Sequence, residues 1–197
     1  AARGNFCTIG QDGILTDRRA GRLPTSESTR LVEILRTIKI DGVELFVEPV
    51  KEHRFTLVLR APGLGAALSE SDPLVTGAAP LEIHALDEPS QRTARMANEF
   101  LAQARVLLQE QFPANMVLLR GFAKFPVVPQ YPDIFKLHPA AIAVNGMYRG
   151  VARLVGMDVL EVEVGYDLIG LVDQRAGGEF PTRIVGIRRQ FASEMGV

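Results

Sequence analysis

Arginine density is the first chemical signal in this sequence. Arg3, Arg18, Arg19 and Arg22 stand beside glycine-rich turns, Arg54 follows His53 at a strand entry, and Arg120 precedes Gly121 with Lys124 close behind. A guanidinium fork matches the paired oxygens of phosphate and carboxylate. Placed at strand ends, such side chains can converge on a small phosphorylated acid. Solvated surface arginines are the competing reading of the same pattern, because exposed charges are the norm. His53 reads either as a phosphate or acid–base group or as a plain loop residue.

Other chemistries find little support. The chain holds 3 His, at 53, 84 and 138, and 1 Cys, Cys7, so a cysteine-rich zinc site is excluded. No H-E-x-x-H, C-x-x-C, G-x-x-x-x-G-K-[ST] or G-x-S-x-G motif occurs. Asp17, Asp72 and Asp133 are possible metal ligands without a cluster around them, and solvated loop acids or caps are the simpler reading. Asn98 lies near an apolar helical stripe, where a satisfied polar residue is the default. Met147-Tyr148-Arg149-Gly150 opens a helix after a strand, a position that favours anions or is simply a structural turn.

The elements that must position these residues follow from periodicity. Phe6–Ile9 reads as a strand with Ile14–Thr16 pairing back on it as a hairpin. A basic loop, 17–22, leads to a helix from Pro24 to about Ile38, with Leu31, Ile34, Leu35 and Ile38 on one face. Val43–Glu48 and Phe55–Leu59 read as an antiparallel pair. Residues 62–89, rich in Gly, Ala, Pro and Ser, form a long irregular excursion of functional or mobile character. A second helix runs from Ser90, its expected N-cap, to about Gln111, with Ala94, Ala97, Phe100, Leu101, Ala104, Leu107 and Leu108 as its stripe. Met116–Leu119 is a buried-type strand. The order β-α-β-β-α-β predicts an α+β fold of ferredoxin-like type, an antiparallel sheet with helices on one face. Beyond it, 124–139 is a proline-punctuated linker. Residues 140–197 read as part of an α/β segment: a strand at Ala140–Val144, a helix over Met147–Val155 and a strand at Val159–Val164. The tail from Tyr166 holds a further apolar run and the basic stretch Arg183 to Arg189.

Composition narrows the function classes. Among 197 residues, 22 Lys+Arg balance 23 Asp+Glu, so the basic excess of a non-specific nucleic-acid binder is missing. No apolar run reaches the roughly 18 residues that span a bilayer. A single cysteine and the lack of an apolar leader fit a cytoplasmic protein. The start, Ala1-Ala2-Arg3, lacks an initiating Met, and the sequence reads as a piece of a longer protein.

Taken in order, several stretches resemble the archaeal-type, cofactor-independent phosphoglycerate mutases of the alkaline-phosphatase-like superfamily. Arg3-Gly4-Asn5-Phe6-Cys7-Thr8 with Asp17-Arg18-Arg19-Ala20-Gly21-Arg22 resembles the family's R-x-N-F-x-T…D-R-R-A-G-R signature. His53-Arg54-Phe55 with Leu57–Arg60 is similar to its H-R-x-x-L-V-L-R strand, and Ser71-Asp72-Pro73 to its D-T-D-P-like turn. Pro113-Ala114-Asn115 with Leu118–Gly121 resembles P-A-N-x-x-L-x-R-G, and Met147–Met157 the helix that follows. The resemblance implies an isomerase of glycolysis that interconverts 3-phosphoglycerate and 2-phosphoglycerate. A serine nucleophile carries the phosphate, and two divalent metals, Mn²⁺ or Mg²⁺, activate it.

The resemblance also implies a division of labour. The family's first metal-binding Asp and its nucleophile lie upstream of the R-x-N-F motif, and its other metal ligands lie in Asp/His motifs near the C-terminus. After Met157 no such motif occurs, and no His follows His138. The expectation is that 1–123 is the inserted, substrate-capping domain, without nucleophile, metal ligands or cofactor of its own. The rest of the parent catalytic domain is its partner, and phosphoglycerate its ligand through Arg3, Arg18, Arg19, Arg22, His53, Arg54 and Arg120. The alternative is a non-catalytic ferredoxin-like regulatory or protein-interaction domain, which would scatter its arginines or place an apolar patch on one surface.

Overall fold

The structure, a computed structural model, describes residues 1–143 and 146–160, together with 179, 182–183, 185–187 and 189–190. The chain divides into two compact units, Ala1–Pro126 and Val127–Val197. In the first unit the elements are β1 (Ala2–Ile9), β2 (Leu15–Asp17), α1 (Thr25–Leu35), β3 (Glu44–Pro49), β4 (Arg54–Arg60), α2 (Gln91–Leu108) and β5 (Met116–Arg120). The strands β3, β4, β1 and β5 lie side by side in that order, all antiparallel, and β2 pairs with the C-terminal end of β1. This is the ferredoxin-like α+β arrangement that the element order predicts.

Strand geometry sorts the side chains, because successive residues point to opposite faces and directly paired residues share one. Gly4 pairs with Phe55 on one side and Leu119 on the other, and Ala2 and Val47 both pair with Leu57. Ala2, Phe6, Phe55, Leu57, Val47, Val117 and Leu119 are all buried in the core with Leu31, Val32 and Leu35 of α1 and Ala97, Phe100 and Ala104 of α2. The intervening positions carry the other face. Arg3 pairs with Thr56 and Arg120, and Asn5 with Arg54 and Leu118. Three of the expected ligand residues, Arg3, Arg54 and Arg120, therefore share the face opposite the helices, where Asn5, Cys7 and Leu118 are buried.

Both helices stop earlier than their apolar spacing predicts. Beyond Leu35 the Thr37 hydroxyl donates to the Ile34 carbonyl, and the N–H groups of Thr37 and Ile38 reach back only three residues. Thr side chains compete with the helical ladder in this way. Ile38 stays buried all the same. Past Leu108 the Gln111 N–H closes a turn on the Leu108 carbonyl, ahead of Pro113, which has no N–H to offer.

Ser90 precedes α2 as expected, but its hydroxyl does not cap the helix. It accepts the Ala67 N–H at 3.0 Å, and Asp87 instead accepts the Ser90 N–H at 3.0 Å. Ser90 thus ties down the 62–89 excursion, which is pinned along its length. Asn98 of α2 accepts the Ile83 N–H and donates to the Ile83 carbonyl at 3.0 and 2.8 Å. Ser71 donates its N–H to the Leu119 carbonyl, and its hydroxyl accepts the Leu119 N–H at 2.7 Å. Asn115 continues the sheet in a similar manner, accepting from the Ile9 N–H and donating to the Ile9 carbonyl.

The second unit contains α3 (Tyr131–Phe135), β6 (Ala140–Ile142), α4 (Gly146–Leu154) and β7 (Asp158–Leu160). The stretch read as linker therefore carries a short helix. β6 and β7 pair in parallel across α4, as a βαβ-type unit requires. Both strands are shorter than expected within the described residues. Val144 and 161–164 lie outside them, as does the apolar part of the tail. Among the described residues no helix is long and apolar enough to cross a membrane.

Candidate functional site

The basic loop after β2 is shaped by Asp17. Its two carboxylate oxygens accept the N–H groups of Arg19 at 2.8 Å and Gly21 at 2.6 Å. Ala20, Gly21 and Arg22 all take positive φ, which an Asx-type turn supports and which Gly21 adopts without strain. Ala20 is fully buried and anchors the loop, leaving Arg19 and Arg22 exposed on either side of it.

The β3–β4 hairpin brings a second set. Its tip holds Glu52 at φ 54°, with the Glu52 N–H donating to the Thr25 hydroxyl. His53 follows with 3% exposure, and its carbonyl accepts the Phe6 N–H. Arg3, Arg19, Arg22, Glu52, His53 and Arg54 line one cleft of about 360 Å³. Five of the seven residues expected from the sequence are thus brought together.

The other two, Arg18 and Arg120, are held elsewhere. Asp72 has a fully buried carboxylate, which accepts two hydrogen bonds from Arg18, from Nε at 2.9 Å and Nη2 at 2.7 Å. Arg120 approaches the same group at 3.5 Å and Glu70 at 3.7 Å. Neither arginine lines the cleft. The reading of Asp72 as a solvated loop acid is therefore corrected: with Arg18 it forms a bidentate ion pair. Asp133, by contrast, is exposed in the first turn of α3.

Charge crowding sets the electrostatics of the cleft. Arg3 and Arg120 face each other across paired strands, an unfavourable placement for like charges. Burial, together with the charges of Arg120, Arg54 and Arg19, lowers the Arg3 pKa, and Asp72 partly opposes them. Asn5 accepts from Arg3 Nε at 3.3 Å and steadies it. Burial would by itself raise the Asp72 carboxyl. Hydrogen bonds from Arg18 and the Leu74 N–H, with the charges of Arg18 and Arg120, outweigh it and hold Asp72 below its ordinary value.

His53 is kept neutral by burial first and by the Arg54, Arg19 and Arg3 charges next, against the opposing pull of Glu52. Its Nδ1 is buried with no hydrogen-bond partner in the protein, and so is Nε of Arg54. Glu52 lies 3.9 Å from the former and 3.4 Å from an Arg54 Nη. Because the folded-state pKa is depressed, the unfolded chain takes up the proton first as pH falls below the ordinary 6.5. Stability contributed by neutral His53 is complete above that value and is lost as pH falls through the lowered folded value. A His53→Asn variant should show a flatter Tm–pH curve than the wild type between pH 7 and 5. Identical curves would refute the assignment.

Sequence reasoning missed Glu52, Glu70 and Asn5 as members of this neighbourhood. Asn5 had a signal in its place within the R-x-N-F stretch, and Glu52 in its adjacency to His53. Glu70 had none. Metal binding is a separate matter. Among the described residues no three His, Cys, Asp or Glu side chains are grouped to hold a metal ion. The two-metal centre that the resemblance implies does not fit the residues described.

The fold and this cleft define a ferredoxin-like α+β unit with a cation-lined recess at the sheet face opposite its helices. A family model described as 2,3-bisphosphoglycerate-independent phosphoglycerate mutase matches residues 1–115. The chain belongs to that family. A Thermus thermophilus relative named probable 2,3-bisphosphoglycerate-independent phosphoglycerate mutase is 47% identical over 165 residues, covering 83% of this chain and 41% of the relative. A relative of the same name from Thermotoga neapolitana is 44% identical over 163 residues, 81% of this chain and 40% of its own length. The chain therefore spans about two fifths of these relatives. Among solved structures, a cofactor-independent phosphoglycerate mutase from Thermoplasma acidophilum superposes with a TM-score of 0.67 at 28% identity. The match covers 88% of this chain and 50% of that one.

Proposed function

We propose that this chain supplies the substrate-holding part of a phosphoglycerate mutase, an isomerase that interconverts 3-phosphoglycerate and 2-phosphoglycerate, and that the cleft holds the phosphorylated acid. The observation that carries the reading is the convergence of Arg3, Arg19, Arg22 and Arg54 on one recess with His53 neutral among them. Four guanidinium groups and the Glu52 carboxylate leave the lining with a net charge of three. A phosphoglycerate with ionised phosphate and carboxylate carries about three negative charges. The unpartnered His53 Nδ1 and Arg54 Nε offer buried polar atoms that a ligand oxygen can satisfy.

The roles follow from placement. Arg3 and Arg54 rise from neighbouring strands and are fixed in separation by the sheet. Arg19 and Arg22 sit on a loop braced by Asp17 and complete the lining. Such an arrangement grips two anionic ends at once, which suits holding a glycerate while its phosphate changes position. A regulatory unit has no need for this convergence. The nucleophile and the metals belong, on this reading, to the remainder of the longer protein.

The test is titration of the chain with 3-phosphoglycerate, followed by amide chemical shifts. Resonances of 17–22 and 52–54 should move together. Arg54→Ala should weaken binding at least tenfold, since a charge-assisted contact contributes roughly 1.5–3 kcal/mol. Unchanged affinity in both Arg3→Ala and Arg54→Ala would sink the reading.

A further inference from the structure

Asp72 is the fully buried carboxylate that the cleft does not use. It lies outside the lining, yet it touches two of the cations beside it, and its partner Arg18 precedes Arg19 in the chain. The bond from Arg18 to Asp72 spans 54 residues, from the basic loop to the 62–89 excursion. The excursion is itself fixed to β5 through Ser71, the residue before Asp72. Asp72 is held from a third direction by the Leu74 N–H at 2.9 Å.

We propose that Asp72 is the positioning residue of the anion cleft: by clamping Arg18 and drawing Arg120 back, it sets the loop that presents Arg19 and Arg22 and clears the space in which Arg3 stands. This rests on the reading of the cleft as the phosphoglycerate site. Besides the buried Ala20, two carboxylates constrain the loop. Asp17 fixes its internal turn, and Asp72 fixes its attachment to the body of the domain. Without the second, the turn keeps its shape but loses its address. Arg120 stands opposite Arg3 on the paired strand. A carboxylate behind both lessens their mutual repulsion without entering the cleft, where it would compete with the ligand. Arg18 and Arg120 are on this account scaffolding rather than ligands, and the anion is taken by Arg3, Arg19, Arg22 and Arg54.

The experiment separates positioning from charge. Asp72→Asn keeps the shape and removes one negative charge. If charge alone mattered, 3-phosphoglycerate would bind more tightly to this variant. The positioning role predicts binding at least tenfold weaker, with loss of the slowly exchanging Arg18 Nε–H resonance. Arg18→Lys keeps the cation without the fork and should weaken binding in the same direction, a milder change should the first variant fold poorly. Asp72→Glu should recover part of the lost affinity. A lowered Tm with an unaltered Kd in Asp72→Asn and Arg18→Lys would reduce Asp72 to a structural role and overturn the proposal. So would tighter binding. In both cases loss of binding in Arg54→Ala leaves the cleft reading intact. A wild-type chain that binds no 3-phosphoglycerate overturns the cleft reading and this assignment with it.

Discussion

Arg18→Ala should destabilise the first unit by about 3 kcal/mol, measured as the change in urea-unfolding free energy. The substitution leaves the Asp72 carboxylate buried without its bidentate partner. Removing one member of a buried pair usually costs about 3–5 kcal/mol. The low end applies, because Arg18 is 28% exposed and Arg120 still stands 3.5 Å from the carboxylate. The stranded acid should also change the pH response. In the wild type Asp72 is held below its ordinary 3.8, so the stability it contributes is present above that value. It is lost as pH falls below 3.8 through the folded value, where the unfolded chain takes up the proton first. In Arg18→Ala burial is no longer opposed by that partner, so the deficit relative to wild type should be full at neutral pH and shrink on acidification as Asp72 takes up its proton. Joint replacement of Arg18 and Asp72 by Met and Leu should recover much of the loss, since the uncompensated charge goes with it. A single variant within 0.5 kcal/mol of wild type, on the order of an ordinary surface change, would refute the buried-pair account.

Gly4→Ala should be the other severe change, at about 3 kcal/mol. A Cβ at this position would fall well inside van der Waals contact of the Phe55 ring, which lies across the strand over the Gly4 backbone. The ring has no open direction for retreat. It is fully buried and packs against Phe6 at a centroid distance of 5.0 Å. The effect comes from overpacking rather than backbone freedom, since Gly4 lies within regular strand. Pairing Gly4→Ala with Phe55→Leu should restore part of the lost stability, because Leu vacates the ring's outer volume. A Tm for Gly4→Ala within a degree of wild type would show that the sheet shifts freely, against this packing.

How much of this was legible beforehand depends on the kind of signal. Period-2 and period-3.6 patterns survive in single sequences, and they placed the four main strands and both long helices of the first unit. Helix ends were less legible. Thr37 is weighed by its hydroxyl, and its bond to Ile34 leaves no trace in apolar spacing. The site divides along similar lines. Arginines near turns announced a cation-rich locus, but the division into Arg3, Arg19, Arg22 and Arg54 on one side and Arg18 and Arg120 on the other did not show. Arg18 and Arg19 are neighbours in sequence, and the difference between them is Asp72, 54 positions away. Long-range pairing of one acid with one base has no periodicity to reveal it. The parity of Arg3 and Asn5 against Gly4 and Phe6 did not show, because the apolar run that marks the strand begins at Phe6 whereas β1 begins at Ala2. On β4 the same parity is blurred, because Val58 lies among the outward positions.

The alternation of faces along the central strand has a consequence for how this protein can change over generations. Along β1 two texts are interleaved letter by letter: Ala2, Gly4 and Phe6 face the helices, while the opposite face carries exposed Arg3 and then the buried Asn5 and Cys7. Substitution at exposed Arg3 leaves the helix-facing text almost untouched, so binding preference can drift there without endangering the fold. Inserting a single residue is different in kind. It shifts every later position to the opposite side, driving a charged group inward and a phenyl ring outward in one step. Lineages of this domain should therefore vary at the exposed letters of these strands and hardly at all in their length.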